Sequence, residues 1–211
     1  MYDETFYDVS RAGMQASAHA LVPMLMPMLQ YPRRVIDVGC GEGWWAKEFE
    51  NHGCEAHGID GGWHGDHQLG DRFTPHNLKH RLPKALHGQF DVAVCLEVAE
   101  HLGKARGSGL VADLCALVKG SENGGYIVFS AAIPGQGGTG HINEQWPTYW
   151  AALFNNNGFA VNSSFRFSIW ADDRIENWYR QNLLIAFPSD DLQAEVPPLN
   201  VVHPILYDAR R

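Results

Sequence analysis

Residues 35–43 read VIDVGCGEG, and this stretch constrains the fold more than any other in the chain. Val35, Ile36 and Val38 around Asp37 make the nearly unbroken apolar run expected of a central parallel strand covered on both faces. The residues after the turn, from Trp44 to Asn51, have helical spacing. Glycines at 39, 41 and 43 let the backbone reverse sharply and approach a ligand, while a helix starting there aims free N–H groups at a carboxylate or phosphate. A strand, a glycine turn and a helix in this order point to a cradle for a nucleoside cofactor, although a lone glycine-rich turn could serve a dinucleotide, a nucleotide or tight packing alone. Spacing then narrows the cofactor. In the dinucleotide fingerprint G-x-G-x-x-G/A the last slot needs a tiny side chain, and counting from Gly39 puts Trp44 there. A nicotinamide or flavin dehydrogenase is therefore disfavoured, and no G-x-x-x-x-G-K-[ST] phosphate loop is present.

Strand and helix patterns alternate through the rest of the chain. A helix over residues 44–52 is stopped by Gly53, and a second strand, from Glu55 to Ile59, ends at Asp60-Gly61-Gly62. Asp60 falls 23 positions after Asp37, near the place where an alternating nucleoside-binding fold puts a carboxylate on the ribose hydroxyls. Further strands are predicted at Phe73 to Leu78, Phe90 to Leu96 and Gly125 to Ser130, with an amphipathic helix carrying Leu110, Val111, Leu114, Leu117 and Val118. Another helix follows Pro147, and two closing strands are expected at Phe159 to Ile169 and Asn182 to Phe187. Such alternation predicts an α/β fold with a doubly wound, mostly parallel sheet and helices on both faces. The expected organisation is an N-terminal helical segment over residues 1–30, a catalytic domain over 31–187 and an extended tail over 188–211. Pro23 and Pro27 should break the first helix after Leu21; that helix could pack on the sheet edge or cover a pocket as a lid.

The chain has 211 residues, 45% of them hydrophobic, enough for one good core. Its net charge of -8 repels phosphate backbones, so a nucleic-acid substrate is disfavoured and a small-molecule acceptor expected. No apolar run approaches a membrane span, and the acidic start, MYDETFYD, does not look like a secretory signal. Cys40, Cys54, Cys95 and Cys115 show no CxxC pairing, which fits reduced thiols in the cytoplasm. His64 and His67 stand three apart like metal ligands, but their glycine-rich surroundings read as a loop with surface histidines. Nothing in the sequence indicates an oligomeric state.

With the glycine turn, Asp60 and the segment from Glu97 to Leu102 together, the chain resembles the class I S-adenosylmethionine-dependent methyltransferases. The resemblance implies a seven-stranded sheet with its last strand antiparallel. It further implies that Asp37, Gly39, Cys40, Gly41 and Gly43 hold the amino-acid half of adenosylmethionine, that Asp60 and Gly61 meet the ribose, and that Asn77 and Leu78 meet the adenine. Asn77 replaces an acid common in the family; its carbonyl could still accept from the adenine amine. Glu97 would line the pocket beside the cofactor.

The segment Glu97-Val98-Ala99-Glu100-His101 is an ExxEH cluster just past the fourth strand. If a helical turn begins there, Glu97, Glu100 and His101 share a face, and His141 joins them from the loop after the fifth strand. Two carboxylates and two imidazoles could bind magnesium or manganese. The arrangement resembles metal-dependent small-RNA 2'-O-methyltransferases, in which ExxEH and a later histidine bind the ion. It also resembles small-molecule O-methyltransferases that need no metal, where His141 would act as base or acceptor-orienting group. A third alternative is a subunit that binds adenosylmethionine without catalysis. Trp146, Tyr149 and Trp150 are candidates to border the acceptor, with core packing of their helix the expected role for at least two of them. The [DNS]PP[YFW] motif of exocyclic-amine methylation and the Pro-Cys nucleophile of cytosine C5 enzymes are both absent, so nothing supports a DNA base as substrate.

Overall fold

The structure, a computed structural model, describes residues 4–62, 68–118, 120, 124–191 and 200–209. His64 and His67 lie outside the described residues. Seven strands form one sheet: β1 Arg34–Val38, β2 Glu55–Asp60, β3 Phe73–Pro75, β4 Val92–Leu96, β5 Tyr126–Ser130, β6 Phe159–Asn162 and β7 Leu184–Pro188. Their order is β3-β2-β1-β4-β5-β7-β6. Strands β1 to β5 pair in parallel, and β7 inserts antiparallel between β5 and β6. This is the expected doubly wound, class I methyltransferase-like topology with an antiparallel last strand.

The apolar runs are explained by burial on both faces. Ile36, Val38, Ala93, Cys95, Ile127 and Phe129 point to one side, where helices α3 (Lys104–Val118) and α4 (Pro147–Asn155) supply Leu110, Leu114, Trp150 and Phe154. Val35, Val94, Val128 and Ile185 point to the other, against α1 (Glu4–Met28) and α2 (Trp44–Asn51). Period-two alternation then leaves no polar face.

Three elements differ from expectation. Helix α1 continues through Pro23 and Pro27 to Met28. Each interior proline costs about 3 kcal/mol, yet Leu21, Val22, Leu25 and Leu29 are fully buried, and burying each such side chain stabilises by roughly 1.5–3 kcal/mol. Packing therefore outweighs the missing bonds. The predicted strand 159–169 ends at Asn162, whose Oδ1 accepts from Ser164 N at 2.7 Å, and α5 (Phe165–Ile169) follows. An asparagine side chain that captures the backbone in this way ends a ladder. Near the end of the chain, residues 204–208 form a short helix, α7 (Pro204–Asp208), instead of remaining extended. Among the described residues no helix is long and apolar enough to cross a membrane.

Candidate active site

In a sheet of this order the crevice for ligands opens where strand order reverses, at the carboxyl ends of β1 and β4. A cavity of about 860 Å³ lies there. Asp37, Gly39, Cys40, Gly41, Asp60, Gly61, Asn77, Leu78, Glu97, His101 and His141 line it, so most of the predicted site residues meet in one place. Gly43 stands behind it, left-handed at φ 92°, as the N-cap of α2. Glu100 is fully buried and outside the cavity lining. Trp146, Tyr149 and Trp150 do not line the cavity either; Trp150 packs on Phe129 and Phe154 in the core. The aromatic wall comes from Trp45, Trp178 and Tyr179.

The glycine turn is built for close approach. Gly39 has φ +80°, and a Cβ there would overlap Val98 Cγ2. Asp60 closes the loop: its carboxylate accepts from Gly41 N at 2.8 Å and from Gly61 N at 2.6 Å. Asp37, behind the turn, is buried and its Oδ2 has no hydrogen-bond partner among the described residues. Burial, with Asp60 as a second negative charge beside it, pushes its carboxyl up to about 8, against a hydrogen bond from the Ala46 backbone. Free carboxyls titrate near 3.9, so the unfolded chain ionises first and folding stability falls as pH rises between those two values. Replacing Asp37 with Asn should remove part of this decline: melting curves should converge near pH 4 and separate, the variant higher, towards pH 8. Parallel curves over that range would show that Asp37 is ionised in the folded state. Asn77 Oδ1 accepts from Lys79 N at 3.0 Å, so this oxygen already serves a local turn.

The Glu97 and His141 end of the cavity is held by long-range contacts. Glu97, directly after β4, has φ +54°, unusual for a residue with a side chain. Its N–H donates to Ser130 O at 3.0 Å, and its carboxylate accepts from Gln136 Nε2 at 3.1 Å and Asn182 Nδ2 at 3.1 Å. Burial raises its pKa, opposed by these hydrogen bonds and by His141. The expected single helical turn over 97–101 is a 3-10 turn covering only Ala99–His101, so Glu97 precedes it. Glu100 instead anchors the loop after β5: its Oε1 accepts from Ala132 N at 3.1 Å and its backbone oxygen from Ile142 N and Asn143 N. Burial first, and the Glu97 carboxylate second, raise its pKa well above the usual range, and its Oε2 is unpaired among the described residues.

His141 is oriented by a partner that the sequence reading did not assign. Its Nδ1 lies 3.1 Å from Glu144 Oε1, and Glu144 also accepts from Gly135 N at 2.6 Å and Gly137 N at 3.0 Å. Partial burial raises the Glu144 pKa, but these hydrogen bonds win and lower it. A carboxylate can only accept, so in the neutral ring Nδ1 carries the proton and Nε2 the lone pair. A Cβ at Gly138 would overlap that Nε2, so the glycine makes room for the ring. His101 packs edge-on to His141, ring centroids 4.8 Å apart, with Nδ1 3.3 Å from Gly140 O. Burial, and then His141, lower its pKa. One ligand atom each from Glu100, His101 and His141 falls within 4.8 Å of the others. The buried Glu100 carboxyl, once it has lost its proton, and two imidazoles whose Nδ1 atoms face protein oxygens are a donor set that fits a divalent cation. The spacing of Glu144 three residues after His141 was the one sequence signal for the dyad; Gln136 and Asn182 gave none.

Comparison with known proteins follows the same lines. No curated protein sequence matches the chain. Among solved structures, it is similar to an O-methyltransferase family protein from Burkholderia thailandensis, with TM-score 0.56 and 18% identity over 82% of this chain and 58% of that one. The chain thus spans little more than half the length of that relative. It is also similar to the 1,6-didemethyltoxoflavin-N1-methyltransferase of the same organism, solved with bound 1,6-didemethyltoxoflavin and S-adenosylhomocysteine (TM-score 0.60, 17% identity, 87% and 82% covered). A third is the magnesium protoporphyrin IX methyltransferase of Synechocystis PCC 6803 with S-adenosylhomocysteine (TM-score 0.60, 18% identity, 90% and 89% covered). At these identities the likeness concerns the fold. A family model described as a methyltransferase domain matches residues 10–181, most of the chain. On that match and this topology, the chain belongs to the class I S-adenosylmethionine-dependent methyltransferase family.

Proposed function

We propose that this chain transfers a methyl group from adenosylmethionine to a hydroxyl of a small molecule, a sugar or secondary metabolite, in the cytoplasm. The observation that carries the reading is the Glu144–His141 dyad, which opens into the same cavity as the glycine turn and Asp60. Its structural neighbours have names that cover both O- and N-methylation of small molecules; the dyad favours a hydroxyl, which must lose a proton as the bond forms. Bound adenosylmethionine supplies an electrophilic methyl on a sulfonium. Asp37, Gly39, Cys40 and Gly41 hold its amino-acid half, Asp60 and Gly61 the ribose, and Leu78 with the turn at Asn77 the adenine. Trp45, Trp178 and Tyr179 exclude water from the crevice, which strengthens every charge interaction inside it. His141 Nε2 takes the hydroxyl proton as the oxygen attacks, and Glu144 stabilises the imidazolium that results.

A second reading has an observation of its own: Glu100, His101 and His141 can converge on one cation. In that case the ion polarises the acceptor oxygen and the histidines serve as ligands. One experiment separates the two. Labelled adenosylmethionine is incubated with a panel of hydroxyl- and amine-bearing acceptors, with chelator and then with added manganese. Transfer to hydroxyls that persists under chelation is the expected result. Transfer restored only by manganese would establish the second reading, and binding without transfer to any acceptor would leave a non-catalytic subunit.

A further inference from the structure

Glu97 is held by a structure larger than its own loop. Asn182, at the end of α6 (Asn177–Asn182), donates to both Glu97 oxygens, at 3.1 and 3.4 Å, and to Gln136 Oε1 at 2.9 Å. Its neighbour Gln181, fully buried, donates to Val201 O and accepts from His203 N. His203 is itself buried, with Nε2 2.8 Å from Trp170 O and its ring 4.6 Å from Trp170. Farther along the same strap, Asn200 brackets Thr148 in the first turn of α4, with two contacts at 3.2 Å. The described end of the chain, residues 200–209, therefore grips the residue next to Asn182 and the helix that follows the His141 loop.

Two costs are concentrated here. Glu97 has a left-handed backbone, and Asn182 Oδ1 is buried with no hydrogen-bond partner among the described residues. Each is unfavourable by itself, and strain held in place by its surroundings collects at ligand sites. Glu97 stands at the switch point, between the adenosine end marked by Asp60 and the acceptor end marked by His141. A donor that carries an ammonium and a sulfonium places its positive charge between those ends.

We propose that Asn182 and Gln136 are positioning residues that clamp the Glu97 carboxylate against the positive charge of the donor, and that the C-terminal strap braces this clamp through Gln181. The inference rests on the reading of the cavity as an adenosylmethionine site. The orientation of Glu97 is thereby set by a segment far from it in sequence.

The test is a double-mutant cycle on adenosylmethionine affinity, measured by calorimetry on the full chain. Glu97→Ala is combined in turn with Asn182→Ala, Gln136→Ala and His203→Ala. Gln136 lies on a partly exposed loop, so its variant remains informative if a buried substitution fails to fold. Each single change is expected to weaken binding by about 5- to 10-fold, and each double by no more than about twofold beyond Glu97→Ala alone, because positioning has no value without the carboxylate. A purely structural role would make the losses multiply, and that result overturns the clamp. Unchanged affinity in Asn182→Ala or Gln136→Ala also overturns it, and unchanged affinity in His203→Ala overturns the brace. In all these cases wild-type binding survives, whereas a wild-type chain that binds neither adenosylmethionine nor its product refutes the underlying reading of the cavity.

Discussion

Replacement of His141 by alanine is expected to lower methyl transfer to a hydroxyl acceptor by about 10²- to 10⁴-fold, the usual contribution of a positioned general base. Affinity for adenosylmethionine should stay within about twofold, because a lost group that acts on the acceptor removes transition-state stabilisation alone. The expectation follows from the tautomer. Glu144 is fixed by the N–H groups of Gly135 and Gly137 and holds the Nδ1 proton, so Nε2 is the basic atom. In Glu144→Gln the amide oxygen can keep the contacts to Gly137 N and His141 Nδ1, but the Gly135 contact is lost because an amide NH2 cannot accept, and the charge that stabilises the imidazolium is gone. A smaller fall in turnover, again without loss of donor affinity, is the outcome to look for. Should His141→Ala keep more than about a tenth of wild-type turnover, the hydroxyl chemistry would have to be assigned elsewhere.

The second large effect lies at the opposite end of the cavity. Gly39→Ala should weaken adenosylmethionine binding by about 100-fold or more and lower the melting temperature, since it combines two penalties. The residue sits at φ +80°, where a side chain costs about 1–2 kcal/mol, and its Cβ would overlap Val98 Cγ2 while lying 3.0 Å from Cγ1. Val98 is β-branched and follows the left-handed Glu97, so it has little freedom to swing aside. The two penalties separate in the double variant Gly39→Ala with Val98→Ala. Removing the valine methyls relieves the overlap and leaves the backbone cost, so affinity should recover in part. If Gly39→Ala binds as tightly as wild type, the turn is not the cradle.

How far these sites could be read from the sequence depends on how local their causes are. The glycine turn and Asp60 were legible because β1 is buried from Val35 to Val38 and both strands end in the residues their turns require. Position alone brought Asp60 into register, and the structure places its carboxylate on Gly41 N. The partners of Glu97 were not legible. Gln136 and Asn182 are 39 and 85 positions away, and the insertion of β7 between β5 and β6 carries the second of them to the site. No periodicity encodes that placement. The aromatic wall was not legible for a related reason: α4 turns Trp150 into the core, as the apolar face of that helix implies, while Tyr179 comes from α6 and packs edge-on against Trp45 at 5.0 Å. The prolines of α1 misled because a local rule met a buried face. Glu97, Glu100 and His101 were expected on one face of a helical turn, but the 3-10 turn leaves Glu97 and His101 in the cavity lining and Glu100 behind it.

A structure of the chain with bound S-adenosylhomocysteine decides whether the cavity at the glycine turn is the donor site. Adenosine is expected at the carboxyl ends of β1 and β2, ribose hydroxyls on Asp60, and the sulfur between Glu97 and His141 with Nε2 facing it across the acceptor space. A ligand bound away from the glycine turn, or one whose sulfur points away from His141, would contradict that assignment.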